Sequence, residues 1–200
     1  MRLLLFSDLH CDVAAARQLV ERSQSVDVVV GAGDFGNVRS GLERCLDVVK
    51  VISVPALLVP GNNESAGELV AACRTWTSAQ VLHGSGVEVA GVPFFGLGGG
   101  VPVTPFGSWS YDFTEEEAAR LLASCPVGAV LISHSPPKGV LDTSSRGQSL
   151  GSTAVREAIL RRSPRLVVCG HIHACAGQTA WMGTTAVVNA GPGGVVWELS

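Results

Sequence analysis

Four of the chain's five histidines, His10, His134, His171 and His173, stand just beyond short apolar runs, and Asp8, Asp34 and Asn62 stand in the same position after other such runs. An imidazole at a strand end can point out of a sheet into a crevice, and neutral imidazole is the commonest side-chain ligand for borderline metals. Two carboxylates, one amide and four imidazoles exceed what one cation needs. Two cations sharing a carboxylate could use them all. Such a pair, roughly 3.5–4 Å apart, lowers the pKa of a bridging water and orients it for in-line attack on phosphorus while holding the non-bridging oxygens.

Taken singly, each of these signals is weak. Asp8-x-His10 reads equally as a polar loop, Asp34 as a cap or turn residue, and Asn62 as a turn former. His134 before two prolines could simply begin a rigid loop, and Gly170-His171-x-His173 could be a hydrogen-bonded strand end. What separates them from that background is that they follow apolar strands in order along the chain. His83 falls outside the pattern and reads as a surface or packing histidine.

The elements that must position these residues repeat one theme. Arg2 to Phe6 reads as a buried strand ending in Ser7-Asp8-Leu9-His10, and Asp12 caps a helix over Val13 to Arg22. Val26 to Val30 is a second strand, leading through Gly31-Ala32-Gly33-Asp34 to a helix from about Gly41 to Lys50. Ala56 to Val59 is a third, closed by Pro60-Gly61-Asn62-Asn63-Glu64, with a short helix over Leu69 to Cys73. Strand, polar loop and helix alternate, which predicts an α/β sheet whose ligands bind beyond the strand ends.

From Val81 the pattern changes. Val87 to Val89 and Val92 to Phe95 flank Ala90-Gly91 as a hairpin does, so a second, partly antiparallel sheet is expected to start there. A Gly- and Pro-containing loop then carries Phe106, Trp109, Tyr111 and Phe113, either a substrate-side wall or a small satellite core. Thr114 to Glu117 forms a capping box for a helix to Leu122. Val127 to Ile132 is a strand ending in Ser133-His134, and a polar segment runs from Lys138 to Gly151. Ser152 caps a helix to Arg162, and Leu166 to Cys169 is the strand before His171. Thr184 to Val188 and Val195 to Leu199 close the chain.

With 46% hydrophobic and 16% charged residues, the 200-residue chain has the composition of a folded protein, read as a single domain over residues 1–200. A net charge of -3 without charge blocks gives no basis for nucleic acid as a bulk partner, and no apolar run reaches the length of a membrane span. The six cysteines contain no Cys-x-x-Cys pair, and reduced thiols without a secretory leader are expected of a cytoplasmic protein. Oligomeric state is not encoded in any motif.

As an ordered set, Asp8-x-His10, Gly33-Asp34-x-x-Asn37, Gly61-Asn62-Asn63-Glu64, His134 and Gly170-His171-x-His173 resemble the calcineurin-like metallophosphoesterases, from the first strand almost to the C-terminus. The resemblance implies a four-layer α-β-β-α sandwich of two mixed sheets flanked by helices. It implies one cation on Asp8, His10 and His173, another on Asn62, His134 and His171, and Asp34 bridging as a catalytic carboxylate. It further implies hydrolysis of a small phosphoester.

One position departs from the family pattern, which has Gly-Asn-His-Asp/Glu where this chain has Asn63. The family histidine is thought to protonate the leaving oxygen or steady the transition state. An amide donates a hydrogen bond but delivers no proton, so general-acid help worth about 10²- to 10⁴-fold is expected to be lost or supplied otherwise. Branches lacking that histidine resemble phosphodiesterases more than monoesterases. Mixed nitrogen and oxygen ligands suit Mn, Fe, Zn, Ni or Co better than Mg or Ca. Arg146 is a candidate phosphate contact through its guanidinium fork, against the alternative of a solvated loop residue.

Two rival readings remain. Gly31-x-Gly33-x-x-Gly36 after a strand matches a dinucleotide-binding fingerprint. However, Asp34 would oppose a pyrophosphate, and no acidic residue follows about twenty positions later to contact a ribose. Alternatively, the fold could serve as a metal-binding or protein-interaction scaffold, although that role would not require an intact ligand set.

Overall fold

The computed structural model describes residues 1–199. The first half builds β1 (Arg2–Phe6), α1 (Val13–Ser23), β2 (Val28–Gly31), α2 (Leu42–Val49), β3 (Ala56–Leu58), α3 (Ala66–Ala72) and β4 (Ala79–Val81). A hairpin of β5 (Ser85–Val89) and β6 (Val92–Leu97) follows, then α4 (Glu115–Leu122) and β7 (Val130–Ser133). The last third contains α5 (Thr153–Arg162), β8 (Leu166–Cys169), β9 (Thr179–Met182), β10 (Thr185–Asn189) and β11 (Val195–Glu198).

These strands form a five-stranded sheet in the order β11-β1-β2-β3-β4 and a six-stranded sheet in the order β5-β6-β7-β8-β10-β9. Both are mixed. β1, β2, β3 and β4 run parallel with β11 antiparallel at the edge, while β6, β7, β8 and β10 run parallel between antiparallel β5 and β9. Strand alternation creates the layers. Leu3 and Leu5 of β1 enter the core between the sheets with Val168 and Val188, whereas Leu4 and Phe6 face the core under α1 and α2. On the other sheet, Phe95, Leu131 and Val167 face Ala118, Val155 and Ile159 of α4 and α5. The result is the expected four-layer sandwich.

Local sequence determines several helix starts. Asp12 accepts from the N–H groups of Ala14 and Ala15, and the Thr114 and Glu117 capping box forms as expected. Two expectations need correction. The third helix starts at Ala66 rather than Leu69, because Ser65 and Glu68 form a capping box of their own. β4 and β9 were not expected as strands; both are short edge strands whose pattern carries little burial, with Trp181 of β9 64% exposed. Among the described residues, no helix is long and apolar enough to cross a membrane.

Candidate active site

β1, β2 and β3 in one sheet and β7 and β8 in the other all deliver a polar loop from their C-terminal ends, and these loops meet. Asp8, His10 and His173 form one group, and Asp34, His134 and His171 a second, with the candidate ligand atoms of each group within 4.8 Å of one another. Asn62 joins the second group, its Oδ1 lying 3.2 Å from His134 Nε2 and 3.1 Å from His171 Nδ1. Asp34 faces both groups: Oδ1 is 3.5 Å from His134 Nε2, and Oδ2 is 3.7 Å from His10 Nε2.

This convergence depends on backbone that most side chains avoid. Asp8, His10, Asp34 and His171 all adopt positive φ, at 56°, 43°, 59° and 65°. Left-handed backbone at non-glycine residues costs about 1–3 kcal/mol each and persists where surrounding contacts fix it. Here the Asp8 N–H donates to Gly33 O, His10 N–H to Asp34 O, and His171 N–H to the Asp8 carboxylate. The glycines before Asp34 and Asn62 are required by space as well. A Cβ on Gly61 would collide with the Asp34 carboxylate, and one on Gly33 would lie 2.7 Å from His134 Nδ1.

The donor set fits a pair of metal cations. His10 Nε2 and His173 Nε2 face each other at 3.0 Å beside the carboxylates of Asp8 and Asp34, an arrangement of lone pairs that calls for a cation or a proton between them. His134 Nδ1 lies 2.7 Å from the carbonyl oxygen of Ala32, which can only accept, so Nδ1 carries the hydrogen and Nε2 presents its lone pair to the group.

A family model for the calcineurin-like phosphoesterase superfamily domain matches residues 1–198. The chain belongs to that superfamily. It is accordingly a metal-dependent phosphoester hydrolase. No curated protein matches it by sequence. Among solved structures it is similar to the protein TT1561 of Thermus thermophilus, with a TM-score of 0.76, 18% identity, and coverage of 95% of this chain and 88% of that one. It is also similar to phosphopantetheinyl hydrolase from Mycobacterium tuberculosis (TM-score 0.64, 16% identity, 94% and 88% covered). A dimetal phosphatase from Danio rerio gives 0.57, 15%, 94% and 86%. At these identities the likeness is one of fold.

In the phosphoesterase, Asn63, at the position where the resemblance leads one to expect a histidine, is held at both ends of its amide. Nδ2 donates to Asp34 Oδ2 at 2.6 Å, and Oδ1 accepts from the Val38 N–H at 2.7 Å. Arg146 is exposed and does not line the cleft above the ligands, although its neighbours Ser144 and Ser145 do. The dinucleotide alternative fails structurally: Gly36 opens no helix, since α2 begins only at Leu42. His83 is a packing residue, its ring 4.9 Å from that of Phe113 and its Nδ1 accepting from the Gly98 N–H.

Sequence reading missed the groups that hold the ligands. Glu64 is almost wholly buried and accepts the N–H groups of Asp34, Gly36 and Gly61, tying two ligand loops together. Asn189, at the end of β10, donates through Nδ2 to Gly170 O and Ile172 O and so fixes the loop carrying His171 and His173. Ser110 receives Asn62 Nδ2–H and passes its own hydrogen to Asp112, which turns Asn62 Oδ1 toward the imidazoles. A signal for Glu64 was present, since it follows Asn63 in the motif. None marked Ser110, which reaches the site only through a long loop.

Outer partners of this kind tune metal affinity by about 10- to 100-fold. Ser110→Ala is expected to weaken one of two metal equivalents by that factor and leave the other unchanged in a competitive titration. Two unaltered affinities would contradict the orienting role.

Charge in the metal-free site is set by the same proximity. For Asp8, burial works upward, but the hydrogen bond with His173, the nearby His134 and the Ser7 hydroxyl bring its pKa down to about 2. Burial, followed by repulsion from His134, pushes His171 down to about 4, so this ring is a free base at neutral pH. His173 is raised, first by its hydrogen bond to Asp8. Burial opposes a charge on His134, yet Asp34 and Asp8 raise its pKa above the ordinary value.

Cations take only the deprotonated rings, so metal uptake must displace protons from His134 and His173. Apparent affinity is therefore expected to rise as pH passes upward through the range, above that of an ordinary histidine, in which these rings lose their protons, with protons released into unbuffered solution during titration. Uptake without proton release would show that these two rings are not ligands.

Proposed function

We propose that this phosphoesterase hydrolyses phosphodiesters in preference to phosphomonoesters. A cation pair would be held by Asp8, His10 and His173 on one side and by Asn62, His134 and His171 on the other, with Asp34 shared. The observation that carries this reading is the placement of Asp34, one carboxylate oxygen toward each group. When bound, the pair supplies a nucleophile at neutral pH and positive charge for the phosphoryl oxygens.

Asn63 supports the preference for diesters. One of its two amide hydrogens is committed to Asp34, and an amide has no acidic proton to give to a departing oxygen, so substrates must bring a leaving group that departs without general-acid help from this residue. Among the described residues no Lys or Arg lines the cleft, which suits a monoanionic diester better than a dianionic monoester. The N/O donor set suits Mn, Fe, Zn, Ni or Co, and manganese is the first choice to test. All six cysteines are unpaired, which supports a reducing compartment such as the cytoplasm as the place of action.

The test is to load the protein with manganese and compare bis-p-nitrophenyl phosphate with p-nitrophenyl phosphate. The diester is expected to exceed the monoester in kcat/KM by at least about tenfold. A reversed order would defeat the preference. Two tightly bound cations with no turnover of either substrate would point to a scaffold.

A further inference from the structure

We propose that the cleft selects phosphoesters whose retained organic group is uncharged and presents a ring or alkyl surface, held against a wall formed by Phe106 and Trp109. This rests on the phosphodiesterase reading and names its substrate class.

The cleft above the ligand groups encloses about 360 Å³, in the size range of small-molecule sites. Its floor is polar, made by the ligands and Asn63, while Val38, Phe106, Trp109, Leu150 and Ile172 supply apolar walls. Val38, Phe106 and Leu150 are 51%, 50% and 42% exposed, so three of the nine large apolar side chains left to solvent among the described residues lie around this one opening. Apolar side chains exposed beside a polar floor offer surface that an apolar part of a ligand would cover.

The aromatic loop divides into two parts with different roles. Tyr111 and Phe113 pack with His83, at 5.8 and 4.9 Å, as a satellite core. Phe106 and Trp109 instead stack on each other at 5.5 Å and 14°, a flat platform with half of Phe106 uncovered. Such a surface accepts a ring or an alkyl chain by offset stacking.

Both sides of the cleft are fixed relative to the ligand groups. Tyr111 N–H donates to Asn62 O at 2.9 Å, and Asn62 Nδ2 donates to Ser110, so the platform is anchored on a candidate ligand. The segment bearing Ser144, Ser145 and Leu150 is held by buried Asp142, which accepts from the Gly139 and Gly151 N–H groups and from the Ser149 hydroxyl. A phosphoryl group on the floor therefore places its organic substituent beside the stacked rings.

A second anionic group on the substrate would find no cation there. Arg39 lies beside the platform, donating through Nη1 to the Trp109 carbonyl oxygen at 3.5 Å, but its charge is matched by Glu68 at 2.8 Å and it is not among the lining residues. Amide and hydroxyl groups of Asn37, Ser144 and Ser145 are the polar contacts left above the floor.

The experiment uses the full chain loaded with manganese and p-nitrophenyl phosphodiesters that share one leaving group and differ in the retained group: phenyl, methyl or carboxymethyl. The phenyl diester is expected to exceed the methyl diester in kcat/KM by about tenfold, with the carboxymethyl diester lowest. Phe106→Ala and Trp109→Ala should bring the phenyl-to-methyl ratio toward one. Val103→Ala, on the same loop but outside the cleft, should leave the ratio unchanged. Calorimetric binding of phenylphosphonate against methylphosphonate gives a readout that needs no turnover. No hydrolysis with phenylphosphonate still bound more tightly removes the phosphodiesterase reading and leaves the wall standing. Hydrolysis with phenyl and methyl treated alike overturns the wall, and equal binding of the two phosphonates does the same.

Discussion

Asp34→Asn is expected to strip both cations and lower diester turnover by about 10³-fold or more, because activation of the nucleophile and stabilisation of developing charge would fail together. The carboxylate faces His10 through one oxygen and His134 through the other, so no second side chain can take its place between the groups. It also accepts the backbone N–H and the side-chain amide of Asn63. An asparagine at this position would bring an NH₂ donor against Asn63 donors or against one of the imidazoles. The measurement is elemental analysis of metal content together with hydrolysis of bis-p-nitrophenyl phosphate. A variant that keeps two metal equivalents and full activity would remove Asp34 from the shared position.

Glu64→Ala should produce the largest change in stability. Its carboxylate takes the N–H groups of Asp34 and Gly61 at 2.8 Å and that of Gly36 at 3.0 Å, in a place closed to solvent. Burial, followed by the charge of Asp34, pushes its pKa up to about 7, against the pull of those backbone donors. Removing the acceptor leaves several buried N–H groups unpaired, at about 1–3 kcal/mol each, so a loss of about 3–5 kcal/mol is expected in urea unfolding. That is a large part of the stability of an ordinary domain, about 5–15 kcal/mol. Metal content should fall with it, since the Asp34 and Asn62 loops would no longer be tied. Glu64→Gln keeps one acceptor oxygen and should lose about half as much. An alanine variant with an unchanged unfolding midpoint would show that the loops are held elsewhere.

That the candidate ligands stand at strand ends was legible because each element announces itself locally. β1 and β8 were read with their observed bounds, since a short apolar run that stops at a polar or glycine residue carries its own boundary. The helix capped by Asp12 was equally legible, the cap being a contact between near neighbours. β4 and β9 were not, because edge strands bury little and so show little pattern. Asn189 and Ser110 escaped for a different reason: their partners, Ile172 and Asn62, lie far away in the chain.

The sequence by itself determined the chemistry available, namely which carboxylates, amide and imidazoles stand after strands, and that Asn63 can donate a hydrogen bond but no acidic proton. Only the tertiary structure decided how these residues divide: that Asp34 turns an oxygen to each group, and that Phe106 and Trp109 face the cleft while Tyr111 and Phe113 pack away from it. Side-chain chemistry is a property of the residue and survives in a linear sequence. Direction is set by which strands pair and by the left-handed turns at Asp8, His10, Asp34 and His171, and those turns persist because neighbouring loops hold them, from the same sheet for Asp8, His10 and Asp34 and from the opposite sheet for His171.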